Sequence, residues 1–367
     1  MRPGREAAPR ADAPRPAAPL SPDRTPPRPG EWLFTTREGA EQDLADEFAL
    51  RGEREPLRSV APALVVSRRA PKHEDRLELT FARQGFPVRA VVEAPSTEAL
   101  AEALENAIVP LLDGAATYAL QVWVPDSTEA NPLSGAARSL EERLEARLAA
   151  ALPDAACIDT RAAGAEAVPL VQVCLWSAER AAVGALPVGR CLSSAPGGRA
   201  RAHVGGDRPS RAARKVAEAL AWLGLAPEPG ELCIDLGAAP GGWTWFLLER
   251  RARVVAVDPA KLRPDLMHRK GLRYVCESAF DFEPDEPADF LFCDMAWRPL
   301  EVAQMLARWA RNRWTTLLVA NFKLPMKRKA EMVARIRSVL EAAGYRAIRT
   351  RQLYHDRDEI TLTARVG

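Results

Sequence analysis

Apolar residues follow two rhythms along this chain. Up to about residue 200, short runs that read as strands gather around single helices. The first group predicts a strand at 31–35, a helix at 39–52 with Leu44, Phe48 and Leu50 near one face, strands at 64–67 and 77–83, and a helix at 97–112. The second predicts a strand at 118–124, a long helix at 139–152, and strands at 169–176 and 181–186. Strands gathered around so few helices predict α+β layers. From residue 210 onward helix and strand alternate, with helices at 211–225, 300–311 and 326–343 and strands at 232–236, 253–258, 272–276, 288–293, 314–322, 347–353 and 360–366. That predicts an α/β, Rossmann-like parallel sheet whose last two strands, joined without a helix, form an antiparallel pair.

The stretch 231–249 organises the second half. An apolar run from Leu232 to Leu236 is broken by Gly237 and by Ala239-Pro240-Gly241-Gly242, and apolar residues then resume at helical spacing at Trp243, Phe246 and Leu247. This is strand, tight loop, helix, and in an open α/β sheet such a loop lies where the ligand binds. Glycines let backbone approach that ligand, and the unpaired N–H groups at the helix start favour an anion or carboxylate. Asp235 is placed to meet a cationic group, and Asp258, ending the next strand about 20 residues on, to hold ribose hydroxyls. The third glycine of G-x-G-x-x-G is missing, which disfavours a nicotinamide dinucleotide. The ligand inferred is a zwitterion bearing a ribose, S-adenosylmethionine. The bland alternative is a glycine-rich turn that binds nothing.

Length and composition set the frame. The 367 residues suit two to three domains, and 47% hydrophobic with 27% charged residues is globular. A formal charge of +2 gives no global polycation, so any nucleic-acid contact rests on local clusters. These are Arg208, Arg211, Arg214 and Lys215, and Lys327, Arg328 and Lys329, with ordinary helix-surface charge as the alternative. The six cysteines form no C-x-x-C pair and read as reduced residues of a cytoplasmic protein. Four scattered histidines give no metal-ligand spacing, and no apolar run would span a bilayer. The expected division is an unstructured Pro/Arg-rich tail at 1–30, α+β units at 31–115 and 116–204, and the α/β domain at 205–367, with a glycine-rich linker near 196–206.

Four polar residues stand where chemistry would need them. Lys215 lies in the helix before the first parallel strand, Asp294 follows Phe290-Leu-Phe-Cys293, Lys323 follows the strand ending at Phe322, and Glu359 precedes the last strand. Two amines and two carboxylates at one sheet edge suit removal of a proton from a hydroxyl, since an amine accepts a proton only when neutral and carboxylates orient it. Lys323 is the candidate acceptor. Taken singly, each residue also reads as a surface charge or a cap.

Asp235-Leu-Gly-Ala-Ala-Pro-Gly-Gly-Trp-Thr244, Cys293-Asp-Met295, Lys323-Leu-Pro-Met-Lys327 and Gln352-Leu-Tyr-His-Asp-Arg-Asp-Glu359 resemble the RlmM family of bacterial large-subunit (23S) ribosomal RNA cytidine 2'-O-methyltransferases. Leu79-Thr-Phe-Ala-Arg-Gln84 extends the resemblance into the first half. It implies an FtsJ-like methyltransferase domain with a Lys-Asp-Lys-Glu tetrad on Lys215, Asp294, Lys323 and Glu359. It also implies a ferredoxin-like unit and a THUMP module that present RNA, possession of S-adenosylmethionine as cofactor, and a monomer acting on ribosomal RNA, naked or in a pre-assembly particle. Cofactor contacts are implied for Ala239, Pro240, Gly241, Gly242, Asp258 and Asp294. Two positions depart from the pattern: Ala212 replaces a cofactor-contacting serine, with Ser210 nearby, and Ser278 follows Glu277 where an acidic residue is common. The alternatives kept open are a methyltransferase of the same fold acting on another RNA and a catalytically silent RNA-binding protein.

Overall fold

The computed structural model describes residues 17–20, 22–53, 55–72, 78–200 and 211–367. The first unit holds β1 (Trp32–Thr35), α1 (Glu41–Leu50), β2 (Arg58–Ala61), β3 (Leu64–Ser67) and β4 (Gln84–Pro87), in the sheet order β2-β3-β1-β4. All four residues of β1 are buried, as suits an apolar strand paired on both sides. The strand expected at 77–83 is replaced by irregular chain over residues 78–83, while residue 77 lies outside the described residues. Its N–H groups have another partner: the buried Glu47 carboxylate accepts from Thr80 N at 2.8 Å and Phe81 N at 3.1 Å, so pairing begins only at Gln84.

The second unit holds β5 (Ala90–Glu93), α2 (Thr97–Ile108), β6 (Thr117–Trp123), α3 (Ser134–Ala151), β7 (Ala156–Cys157), β8 (Pro169–Ser177) and β9 (Arg180–Pro187), ordered β5-β9-β8-β6-β7. The residues of β5 and α2, read from sequence with the first unit, belong to this one. β5 pairs antiparallel with β9, and α2, capped by Ser96 accepting from Ala99 N, buries Leu100, Leu104 and Ile108 in the same core as Leu140, Leu144 and Leu148 of α3.

The third unit runs α4 (Arg211–Leu223), β10 (Leu232–Leu236), α5 (Gly242–Glu249), β11 (Arg253–Val257), β12 (Leu272–Val275), β13 (Ala288–Cys293), α6 (Pro299–Arg311), β14 (Thr315–Lys323), α7 (Lys329–Ala342), β15 (Tyr345–Arg351) and β16 (Glu359–Val366). Its sheet is ordered β12-β11-β10-β13-β14-β16-β15, parallel through β14 and antiparallel at β16. The last strand enters between β14 and β15. Six of its eight residues are buried, whereas β15 carries exposed Arg346 and Ala347 and takes the edge.

The first and third units share a core. One buried cluster includes Trp32, Phe48 and Phe81 together with Val333, Ile336 and Tyr345. Polar contacts reinforce it: Thr80 and Thr350 hydroxyls at 2.9 Å, Gln352 N–H on the Thr80 carbonyl at 2.7 Å, and Lys329 on Asp43 at 2.8 Å. Part of the expected tail is also bound. Ala17 N–H reaches Asp46, Leu20 N–H reaches Gln42, and Asp23 N–H reaches the Ser59 carbonyl, while residues 1–16 lie outside the described residues. A proline-rich segment has few donors, and those it has meet acceptors on the first unit. The start of the expected linker is likewise packed, with Gly197 and Gly198 buried and Arg199 Nη2 bonded to Asn131 Oδ1 at 2.9 Å. Residues 201–210 lie outside the described residues. No helix among the described residues is long and apolar enough to cross a membrane.

Candidate active site

Strand order reverses between β10 and β13, and an open α/β sheet binds its ligand at the carboxyl ends of such strands. The loop leaving β10 is built to lie close to its neighbours. Gly237 has φ 75°, and a Cβ there would come within 2.6 Å of Met295 Cγ; Gly241 has φ 107°, and a Cβ would collide with Leu266 Cδ1. Asp258 ties the loop to β11: Oδ2 accepts from Ala239 N at 3.0 Å and Oδ1 from Ala260 N at 2.7 Å. A carboxylate has about four acceptor sites, so two remain for ribose hydroxyls. Asp235, expected to meet a cation, instead lies 1% exposed and accepts the Thr244 hydroxyl at 2.6 Å, fastening β10 to α5. Burial pushes its carboxyl up to about 7, partly opposed by the Thr244 hydrogen bond.

The residues expected to touch cofactor fall along this edge. Ala239, Pro240 and Gly241 form the loop, and Gly242 opens α5, whose first N–H groups have no partner inside the helix. Asp258 follows β11 and Asp294 follows β13, with Asp294 N–H on the Leu236 carbonyl at 3.3 Å. Ser278 lies just beyond β12, where its hydroxyl accepts from Phe280 N at 3.2 Å. Ala212 is half-buried in the first turn of α4, three residues before Lys215; Ser210 lies outside the described residues. Close backbone, ribose acceptors at Asp258 and helix-start N–H groups form a donor and acceptor set that fits S-adenosylmethionine. Among the described residues no group of three or more His, Cys, Asp or Glu is arranged to hold a metal ion.

The four predicted polar residues come together around Glu359. Lys323 closes β14 and Glu359 opens β16, and the two are direct partners across the antiparallel pair. Glu359 Oε2 lies 3.4 Å from Lys323 Nζ, while Oε1 is hydrogen-bonded to Lys215 Nζ from α4. Lys215 Nζ is in turn 3.9 Å from Asp294 Oδ2. The two amines differ in access: the Lys215 side chain is 13% exposed and that of Lys323 is 52% exposed. The carboxyls are pushed in opposite directions. Burial raises Asp294 more than Lys215 lowers it, whereas the burial that would raise Glu359 is outweighed by the hydrogen bond and charge of Lys215 and then by Lys323. Glu359 therefore holds its negative charge between the two lysine side chains.

Sequence reading missed the residues that hold Glu359 in place. Glu218, one turn after Lys215 on α4, is 4% exposed and accepts from Tyr354 N at 2.7 Å and His355 N at 3.0 Å, with His355 Nδ1 at 2.6 Å. Asp356, also buried, accepts from Leu353 N at 2.9 Å and from the Thr361 hydroxyl at 3.0 Å. The available signal was Glu218 itself, a charge among Val216, Ala219 and Leu220 on the buried side of α4. Of the expected basic clusters, Arg214 and Lys327 are exposed, Arg328 pairs with Glu331, and Lys329 is taken by Asp43. Arg208 lies outside the described residues.

Known proteins resemble both the domain and the whole chain. The family of FtsJ-like methyltransferases matches residues 208–328. The ribosomal RNA large subunit methyltransferase M of Halorhodospira halophila is 33% identical over 345 residues, covering 91% of this chain and 96% of that protein. The Xylella fastidiosa protein of the same name is 33% identical over 358 residues, with 89% and 96% covered, and that of Xanthomonas campestris is 32% identical over 361 residues, with 91% and 99% covered. Similarity of that depth along nearly the full length, on a chain that gathers two lysines and two carboxylates at the ligand edge of a Rossmann-like sheet, places this protein in the ribosomal RNA large subunit methyltransferase M family.

Proposed function

We propose that this protein is an S-adenosylmethionine-dependent methyltransferase that modifies the ribose 2'-hydroxyl of a cytidine in large-subunit ribosomal RNA. The observation that carries the reading is the meeting of Lys215, Asp294, Lys323 and Glu359 beside the glycine loop. S-adenosylmethionine supplies a methyl group on a sulfonium. The chain's own part is to hold the cofactor with residues 239–242, Asp258 and Asp294, to align the ribose oxygen with the methyl carbon, and to take the hydroxyl proton. Lys323 is the acceptor, because its amine is the more accessible of the two and an arriving RNA would cover it. Desolvation favours a neutral amine, the form able to accept. Lys215 and Glu359 form the fixed pair against which Lys323 is set, and Asp294 borders both the amines and the cofactor edge.

The reading extends to the rest of the chain. The first unit is a ferredoxin-like module and the second a THUMP-like module. Together they present RNA to the catalytic edge, and the enzyme acts as a cytoplasmic monomer. Shape and exposed 2'-hydroxyls are what proteins read in helical RNA.

The direct test is methyl transfer from labelled S-adenosylmethionine to large-subunit RNA lacking its own modification, with the product ribose mapped. Wild type is expected to label one cytidine, and Lys323→Ala to lose at least a hundredfold in rate while binding cofactor normally, about the contribution of a positioned base. Transfer that persists in Lys323→Ala would remove its role as acceptor. Cofactor binding without transfer to any large-subunit RNA would remove the proposed substrate.

A further inference from the structure

A second cleft lies beside α4, separate from the glycine loop. It has a volume of about 240 Å³ and is bounded by the loop through Ser193 and Ser194, by Trp222 of α4, and by Arg349 and Arg351 of β15. That is several times the ~30 Å³ a water occupies in the liquid. Arg349 and Arg351 are two apart on a strand, so both point to the same face. That face meets Trp222: the Arg349 guanidinium lies 4.6 Å from the ring centroid and that of Arg351 5.8 Å.

Arg351 is the unusual group. It is 6% exposed, and no carboxylate among the described residues forms an ion pair with it. Burial, followed by the like charge of Arg349, pushes its guanidinium down to about 10. Glu218, the buried carboxylate that also lines the cleft, is committed to Tyr354 N, His355 N and His355 Nδ1. Arg349 donates to the Trp222 carbonyl at 3.4 Å, and its one carboxylate partner among the described residues, Glu78, is loose at 3.7 Å. A buried guanidinium without a counter-ion is costly, and here two cations share one indole. Packing against an aromatic face fixes the guanidinium plane and leaves its N–H groups for an anion with spaced oxygens, such as a phosphate.

We infer that the cleft between α4 and β15 is a phosphate subsite that grips the RNA backbone through Arg349 and Arg351, away from the nucleotide that is methylated. Trp222 is seven residues beyond Lys215 on α4, or about 10 Å along the helix. A phosphate in this cleft and a ribose at Lys323 therefore belong to one bound strand. The inference rests on the proposed RNA substrate and adds a contact that sets its register.

The test measures binding of unmodified large-subunit ribosomal RNA to the full chain across a series of KCl concentrations, for wild type, Arg351→Gln, Arg351→Lys and Arg349→Gln. Affinity for S-adenosylmethionine, measured by calorimetry, reports whether each variant keeps its fold. Arg349→Gln and Arg351→Gln are expected to bind RNA about tenfold more weakly, as when a hydrogen bond to a charged group is lost. The slope of log affinity against log salt should be shallower by about 0.7, the value for one phosphate on a single strand. Arg351→Lys should recover most of that slope. Unchanged RNA affinity and slope in Arg349→Gln, with cofactor binding intact, would overturn the subsite and leave the proposed substrate standing. Inorganic phosphate that competes for the cleft without changing RNA affinity would make it a free-anion site and would also overturn it. Failure of the wild type to bind RNA would overturn both the substrate and the subsite.

Discussion

Asp235 and Glu359 show how one chemical group, the carboxyl, takes opposite roles within one site. Asp235 is sealed beneath the glycine loop with a single hydroxyl partner, and its carboxyl is raised to about 7; Glu359 sits between two lysines and is lowered. The stability consequence for Asp235 has a definite sign. The unfolded chain releases this proton near 3.8 and the folded chain only near 7, so the contribution is complete below pH 4 and is lost as pH rises through 7. Asp235→Asn, which keeps an acceptor for Thr244, should remove that dependence. Its stability relative to wild type should climb between pH 4 and 7, by roughly 2–4 kcal/mol, and level off above. Urea unfolding at half-unit pH steps would measure it; a flat difference across the range would show that Asp235 ionises as readily folded as unfolded.

At the scale of elements, the site depends on how β16 is reached. The chain leaves β15 at the sheet edge, crosses residues 352–358, and enters β16 between β15 and β14, which brings Glu359 opposite Lys323. Glu218 controls that crossing through three hydrogen bonds to Tyr354 and His355. It touches none of the reacting groups and acts as a positioning residue. Glu218→Gln replaces an acceptor-only group with one that is half donor, facing two backbone N–H groups. It should cost about 1–3 kcal/mol of stability. It should also lower kcat at least tenfold, because small misplacements of a catalytic group are expensive, with cofactor affinity nearly unchanged. Single-turnover kinetics beside cofactor calorimetry would separate the two effects. A kcat equal to wild type in a destabilised protein would confine Glu218 to folding.

At the scale of the whole molecule, the four-stranded unit and the methyltransferase sheet are parts of one cooperative body. Their apolar residues share a cluster, Thr80 bonds both Thr350 and Gln352, and Asp43 holds Lys329. Calorimetry of the full chain should show these two units unfolding in one transition. Asp43→Ala, which leaves the 14%-exposed Lys329 side chain without its carboxylate, should lower that single midpoint without splitting it. An earlier, separate transition for the first unit would break this account. The joint core also explains why residues 78–83 are irregular: their polar groups serve the contact with α1 and β15 in place of a sheet.

Sequence alone determined the features that depend on near neighbours. The alternation of helix and strand after residue 210, the glycine loop between Leu236 and Trp243, and the strand-end positions of Asp258, Asp294 and Lys323 are periodicities and breaks that any reader of the chain meets directly. Lys215 and Glu359 stand out beside them from their places before the first parallel strand and before the last, and motif similarity joins all four as a tetrad. Tertiary structure decided the rest, because it concerns groups distant in the chain. Glu218 gains its role only where the residue 353–356 loop lies over α4, and Arg351 only where its guanidinium packs against Trp222. The cation-binding role first open to Asp235 closed when Thr244 took its oxygen. The residues of β5 and α2 changed units because a strand is assigned by the partner it bonds, and β9 lies some 90 residues further on. Local pattern sets what each segment can become; burial and pairing across the chain set which charges remain available for chemistry.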